Sequence, residues 1–472
     1  MLFTRRSALA VLTALFIGTP LSALAQAPTD TYYEFLLARR LEADGDVKGA
    51  RAALDRAAAA DPKSAEVRAE IAGLYLRRNE RGEAEKAAKA ALAIDEKNVE
   101  GNRVLGLLYA AAADASGERN SPQAAASVRD AITYLERAAA GTTVPADPQL
   151  YYTLGRLYIR AGTPDKAVQS LTRVLSQNPN SVQGRLTMAQ AYAASKDLKA
   201  AINTLQEIIE DEPRVASALA QYQEDAGLLM DAAASYTLAL AVQPGNRELK
   251  IRRIAVLLQA KEYARAAGFA GDARKQHPTE PVFPRLQGRA LFDSGDRSGG
   301  ISVLEAAVKQ FPKDSATMFA LADIYADAGR APDAERTLRQ LLSAEPANAN
   351  ALNYLGYLLA VRGDQLDEAI RLVRRALDVE PENGAYLDSL GWAHFRRGDL
   401  DDAEKYLVAA AAKLPANSEV QDHLGDLHAR KGRFAEAIAA WTRALNGDGS
   451  DIQRDAIEKK ISNAKGKMQN AK

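Results

Sequence analysis

Proline returns along this chain at a fixed interval. Pro244, Pro278, Pro312 and Pro346 stand 34 residues apart, Pro381 follows after 35, and Pro415 after 34 more. Pro62, Pro179 and Pro213 hold the equivalent place earlier in the chain. A period of this size is the mark of an array in which one small supersecondary unit is copied and stacked. Two further residue types keep the same beat. A small residue recurs upstream of each proline: Ala50, Ala84, Ala131, Ala167, Ala201, Ala232, Ala266, Gly300, Ala334, Ala369, Ala403 and Ala437. A glycine precedes it in eight units, at Gly45, Gly162, Gly227, Gly295, Gly329, Gly363, Gly398 and Gly432. Twelve units follow from these marks: 31–64, 65–98, 99–147, 148–181, 182–212, 213–246, 247–280, 281–314, 315–348, 349–383, 384–417 and 418–451.

Each unit reads as two antiparallel helices. In 384–417 the first places Leu387, Leu390/Gly391 and His394 on one stripe, and the second places Ala403, Leu407 and Ala410 on another. Both follow the i, i+3/i+4, i+7 spacing of an amphipathic helix. The mid-unit glycine suits a left-handed C-cap, where a Cβ is strained. The small residue lets the second helix come close to the first. The late proline stops the second helix, since it brings no N–H and clashes with the preceding turn. One hairpin cannot bury its apolar face alone, so stacked copies must share a core. Aromatics at 6% also speak against a β-rich fold.

With this period, this helix pair and the runs Leu105-Gly106-Leu107-Leu108-Tyr109 and Leu154-Gly155-Arg156-Leu157-Tyr158, the chain resembles the tetratricopeptide repeat family over residues 31–451. The resemblance implies an all-α, right-handed superhelical solenoid of about twelve helix-turn-helix repeats. Departures are local. Repeat 99–147 carries an extra segment around Ala111 to Asp130, repeat 182–212 is short, and repeat 247–280 has Ile254 where glycine is usual. Residues 452–472 read as a capping helix and basic tail. Ile452, Ile457 and Ile461 share one side, Arg454, Lys459, Lys460 and Lys465 lie elsewhere, and Ser450 with Gln453 fits a capping box.

The first 25 residues stand apart from the array. Arg5 and Arg6, the apolar run Ala8–Ile17, Gly18, Pro20 and the small-residue site Ala23-Leu24-Ala25 form the pattern of a cleavable secretory signal. The run is short of the roughly 20 residues a membrane-spanning helix needs. Residues 26–30 then serve as a short linker. The expected location is the bacterial periplasm, at the envelope or beyond it. Cysteine is absent, which removes disulfides, thiolate nucleophiles, cysteine metal sites and a lipid anchor through an N-terminal cysteine. Lys+Arg and Asp+Glu both number 61, so nothing suggests a nucleic-acid partner. No phosphate-binding loop, zinc-helix motif or nucleophile elbow occurs. Ser389 lies inside a helix. His394, His423 and His428 crowd into the last two repeats, but His394 and His428 take the place of Tyr109 and Tyr158 and read as packing residues. A metal held by these histidines with Asp422 or Asp426 lacks the closed ligand shell such a site needs. The chain is expected to be no enzyme and to hold no metal or cofactor.

The last repeats carry a distinct polar and aromatic row. Counting one position after and three before the first-helix glycine gives Asn353 and Tyr357, Asp388 and Trp392, and Asp422 and Asp426, with Asp323 ahead of them. The family resemblance implies that these positions line a concave groove. Aromatic anchors and backbone-satisfying polar groups there suit an extended peptide or another protein. Arg285 and Arg289 occupy the same positions in repeat 281–314 and would switch the sign of the groove. The Asn-Tyr-Leu-Gly-Tyr, Asp-Ser-Leu-Gly-Trp and His-Leu-Gly-Asp run, with Tyr32-Tyr33-Glu34-Phe35-Leu36, is similar to bacterial envelope tetratricopeptide adaptors that present substrates to a carboxy-terminal processing protease. That likeness implies an adaptor role. A component of an exopolysaccharide or protein secretion assembly stands as the alternative, with a periplasmic hydrolase more remote.

Overall fold

A proline every 34 residues has a visible backbone consequence. In the computed structural model, the second helix of a repeat ends two residues before its proline, as at Ala60, Gln177, Val242, Gln276, Gln310, Ala344, Val379 and Lys413. The intervening residue has already left helical geometry: Asp61 has φ −131° and ψ 87°, and Leu414 has φ −126° and ψ 62°. Crowding by the proline ring forces that extended conformation on the residue before it.

The structure describes residues 30–115, 121–141, 147–449 and 452–470. The signal segment 1–25, most of the linker, Ser450 and the middle of the insertion at 116–120 lie outside the described residues. Among the described residues there are 25 α-helices, one 3-10 turn at Pro213–Val215, and no strand. The fold is all-α. The helices fall two to each of the twelve repeats, and the twenty-fifth, Arg454–Asn470, follows the array. Extra residues in repeat 99–147 lengthen both its helices, to Val99–Ala115 and Pro122–Ala140.

The turn inside each hairpin needs a positive φ, and all eight mid-repeat glycines have one, from 72° at Gly162 to 101° at Gly295. Three repeats reach the same left-handed conformation without glycine, through Asn79, Lys196 and Lys261. For the two lysines that geometry costs about 1–2 kcal/mol each.

A second set of glycines sets the distance between the paired helices. A Cβ on Gly391 would come within 2.7 Å of Leu407 Cγ and 2.9 Å of the Leu407 backbone nitrogen. Gly155 faces Leu171, Gly288 faces Leu304 and Gly425 faces Trp441 in the same way. The large side chain of the second helix thus sits in a notch of the first. Repeat 247–280 inverts the sizes, with Ile254 at the notch position and Ala270 sixteen residues on, both fully buried.

The chain divides into two compact units between Glu212 and Pro213. The division falls at the end of the short repeat 182–212, whose second helix, Leu198–Gln206, has only nine residues. Glu207, Glu210, Asp211 and Glu212 crowd its C-terminal end, where the helix dipole repels negative charge. Pro213 then prevents helical continuation.

The second unit holds every residue of the expected binding row. Consecutive first helices touch directly there: Ala349–Arg362 against Gly384–Arg397, and that helix against Ser418–Arg430. The terminal helix buries Ile457 and Ala464 against Ala437, Trp441 and Ala444, with Ile452 and Ile461 packed alongside. A buried isoleucine of this kind is worth about 1.5–3 kcal/mol. Among the described residues, no helix is long and apolar enough to cross a membrane.

Candidate partner-binding face of the last repeats

Helical periodicity brings equivalent positions of neighbouring repeats side by side, and the first helices of repeats 349–383, 384–417 and 418–451 follow this rule. Asp388 meets the residue 35 positions on: its Oδ2 lies 2.9 Å from His423 Nδ1. Both side chains are buried, Asp388 to 4% exposure and His423 to 7%. Trp392 stacks face to face on His423, with ring centroids 4.0 Å apart, and on Phe395 at 4.9 Å. Burial opposes a charge on His423, but the carboxylates of Asp388, Glu419 and Asp422 outweigh it and raise the imidazole pKa. The histidine fixes the aspartate, and the indole fixes the histidine.

Asn353, Tyr357 and Asp388 come together on one cavity of about 220 Å³, which Asn417 and Glu419 also line. The Tyr357 hydroxyl donates to Glu419 across 62 residues of sequence. Three buried polar atoms of the row find no hydrogen-bond partner among the described residues: Asn353 Oδ1, Asp388 Oδ1 and Trp392 Nε1. Each such group left unsatisfied costs about 1–3 kcal/mol.

Asp422 and Asp426 depart from the expectation of one open row. Lys460 of the terminal helix reaches back and puts its Nζ 2.8 Å from both carboxylates. Trp441 Nε1 adds a donor to Asp426 at 3.1 Å. Burial pushes the Asp426 carboxyl upward, and Lys460 and Trp441 only partly offset this. Burial likewise works against the Lys460 charge, yet the two carboxylates win and raise its pKa. The three groups form one ion-paired cluster between the last repeat and the terminal helix.

The sign switch expected from Arg285 and Arg289 does not occur as an open basic patch. Arg285 donates to Asp314 at 2.7 Å, and Arg289 bridges Asp293, Asp323 and Asp327 at 2.8–3.1 Å. Asp323 also accepts from the Tyr354 hydroxyl at 3.1 Å. Arg285 is engaged within its own repeat, and Arg289 both within it and across to repeat 315–348.

His394 packs within its own repeat. His394 is fully buried, stacks on Tyr406, and places Nδ1 3.1 Å from Asp399. With Asp402 it makes a His-Asp-Asp grouping, in which Arg397 also donates to Asp399. Burial and the nearby Arg433 lower the pKa of His428. The sequence reading did not place two of the residues that touch this face, His423 and Lys460, on it. His423 is legible as the residue one repeat after Asp388. Lys460 is not, because its helix lies outside the period.

Comparison with known proteins bears on the repeats directly. Two models of the tetratricopeptide repeat match, one at 159–222 and 291–360 and the other at 35–99, 109–182, 359–419 and 389–451. Together they take in more than half of the chain. A TPR repeat-containing protein of Pseudomonas aeruginosa is 28% identical over 211 residues, covering 44% of this chain and 35% of the relative. The CTR9 homolog of Arabidopsis thaliana is 24% identical over 219 residues, covering 44% of this chain and 20% of the relative. The chain thus spans about a third or less of the length of these curated relatives. Among solved structures, yeast Tom70 aligns over 93% of this chain and 96% of its own, at 13% identity and a TM-score of 0.47.

Proposed function

The chain belongs to the tetratricopeptide repeat family, whose members serve as protein-interaction scaffolds, and from that premise we propose that it is a non-catalytic adaptor of the bacterial envelope. It captures an extended segment of a partner protein on the first-helix face of repeats 349–383 and 384–417. One observation carries this reading. Asn353 Oδ1, Asp388 Oδ1 and Trp392 Nε1 are two acceptors and a donor, buried and unpaired on adjacent helices. A peptide backbone offers the complementary set, an N–H and a C=O at every residue. The pattern of Arg5–Ala25 supports export. The resemblance of the last repeats supports service to a carboxy-terminal processing protease.

The test is crosslinking capture from envelope extract, with the parent compared against Trp392→Ala. Truncating an interface aromatic commonly costs ~2 kcal/mol, so capture should weaken by roughly thirtyfold. Trp392 is packed on His423 and Phe395, so circular dichroism must show the helical content unchanged. Lys405→Ala, on the second helix of the same repeat, should leave capture intact. Parent-like capture by a folded Trp392→Ala variant would place binding elsewhere.

A further inference from the structure

The second helix of repeat 213–246 departs from the polar outer side that a stacked helix normally shows. Leu229–Val242 carries one charged residue, Asp231, whereas its counterpart Leu366–Val379 carries six. Its packed side holds Ala232, Tyr236 and Ala239, all buried. Met230, Ala234, Leu238 and Ala241 fall together on another side at helical spacing, and all four are exposed. Met230, Leu238 and Val242 are 41–49% exposed, and with Leu228 they are four of the eleven large apolar side chains that stand exposed among the described residues. A helix that is apolar on both its inner and its outer side is one that something covers.

The next second helix, Tyr263–Gln276, has the opposite shape. Ala264, Ala267, Gly268 and Gly271 line a groove of about 860 Å³, which Leu291 and Gln310 also line. Gly391 makes room for a leucine of its own repeat, but a Cβ on Gly268 would meet no atom within 4 Å. Packing among the described residues therefore does not call for this glycine, and it is a poor helix former. The two helices also differ in charge. The ridge helix has one acid and no base, while the groove helix has Arg265, Arg274 and Lys275 against Asp272 alone. Arg274, on the groove wall, donates to Gln287 at 3.4 Å.

Equivalent helices of successive repeats lie on one side of the stack, so ridge and groove are neighbours there. A patch holding both a ridge and a groove of opposite charge fits a second copy of itself, because a two-fold axis presents each to the other. We infer that the chain pairs with a second copy through the second helices of repeats 213–246 and 247–280, the ridge of each copy seated in the groove of the other. The contact uses no residue of the partner-binding face and does not depend on that reading.

Sedimentation equilibrium of the full chain tests it. The parent should be dimeric at about 100 µM. Leu238→Glu and Gly268→Lys should each weaken the dimer by about a hundredfold or more, since each puts two unpaired charges into a two-fold contact. An equimolar mixture of the two variants should dimerise again. The carboxylate of one copy then faces the ammonium of the other, and an unaltered ridge and groove meet at the second contact. Both variants should keep the parent's helical spectrum, because Leu238 is half exposed and a Cβ at Gly268 touches nothing. Met230→Glu replaces Leu238→Glu if that spectrum is lost. A parent that sediments as a monomer, or as anything larger than a dimer, overturns the inference. So does a dimer that survives Gly268→Lys, or a mixture of the two variants that stays monomeric.

Discussion

The glycine notch between paired helices makes a quantitative claim that a double-mutant cycle can break. Gly391 has no room for a side chain: an added Cβ would lie 2.7 Å from Leu407 Cγ and 2.9 Å from a backbone nitrogen that cannot rotate away. Gly391→Ala gains about 1 kcal/mol of helix propensity but incurs overpacking of about 1–3 kcal/mol, so it should be neutral to mildly destabilising. Gly391→Ile adds four carbons to the same space and should cost about 3 kcal/mol or more. Leu407→Ala empties a fully buried position and should cost about 2–5 kcal/mol. The double variant Gly391→Ile with Leu407→Ala nearly conserves volume and reproduces the Ile254 and Ala270 arrangement of repeat 247–280. It should recover most of the combined loss, with a coupling of about 2 kcal/mol. A chain of two units need not unfold in one step, so the assay is hydrogen exchange of amides in 384–413, read as local opening free energy. If the two single losses simply add, side-chain interdigitation does not hold these helices at their spacing.

The His423 pairing sets a pH dependence of known sign. Its pKa rises above 6.5 in the folded chain, through Asp388, Glu419 and Asp422 acting against burial. The pair's contribution is therefore complete below about pH 6.5 and is lost as pH rises through the folded value. Amides of repeats 384–417 and 418–451, corrected for intrinsic exchange, should be better protected at about pH 6 than at about pH 8.5. His423→Gln should flatten that difference, and equal slopes for parent and variant would sink the idea. Export is checked by intact mass: protein recovered from the envelope should begin near Gln26, and retention of residues 1–25 would refute cleavage.

Much of the architecture is written in the period. Proline, glycine and small-residue positions fix where helices stop, turn and touch, because each acts through backbone sterics that need no tertiary context. The division at Glu212 is half-legible: the short repeat is plain in the sequence, but that the compact units part there depends on how much core a nine-residue helix can share. Size compensation at Ile254 and Ala270 also lies in the sequence, sixteen residues apart. It appears only when each repeat is read as a packed pair rather than as a list of matches to a pattern.

The binding row shows where such reading stops. Asn353 and Asp388 line one cavity, because positions 35 residues apart sit on neighbouring first helices. It says nothing about which of those groups the chain itself engages. Arg289 and Asp323 lie one period apart and consume each other. Asp388 and His423 do the same through one oxygen only. Asp422 and Asp426 are engaged by Lys460, which belongs to no repeat, so no internal comparison of repeats could reveal it. Of a six-residue row spread over three repeats, the groups that Lys460 does not engage lie on two. Its far edge is set by the terminal helix, and its remaining unpaired atoms are those nearest Asp388.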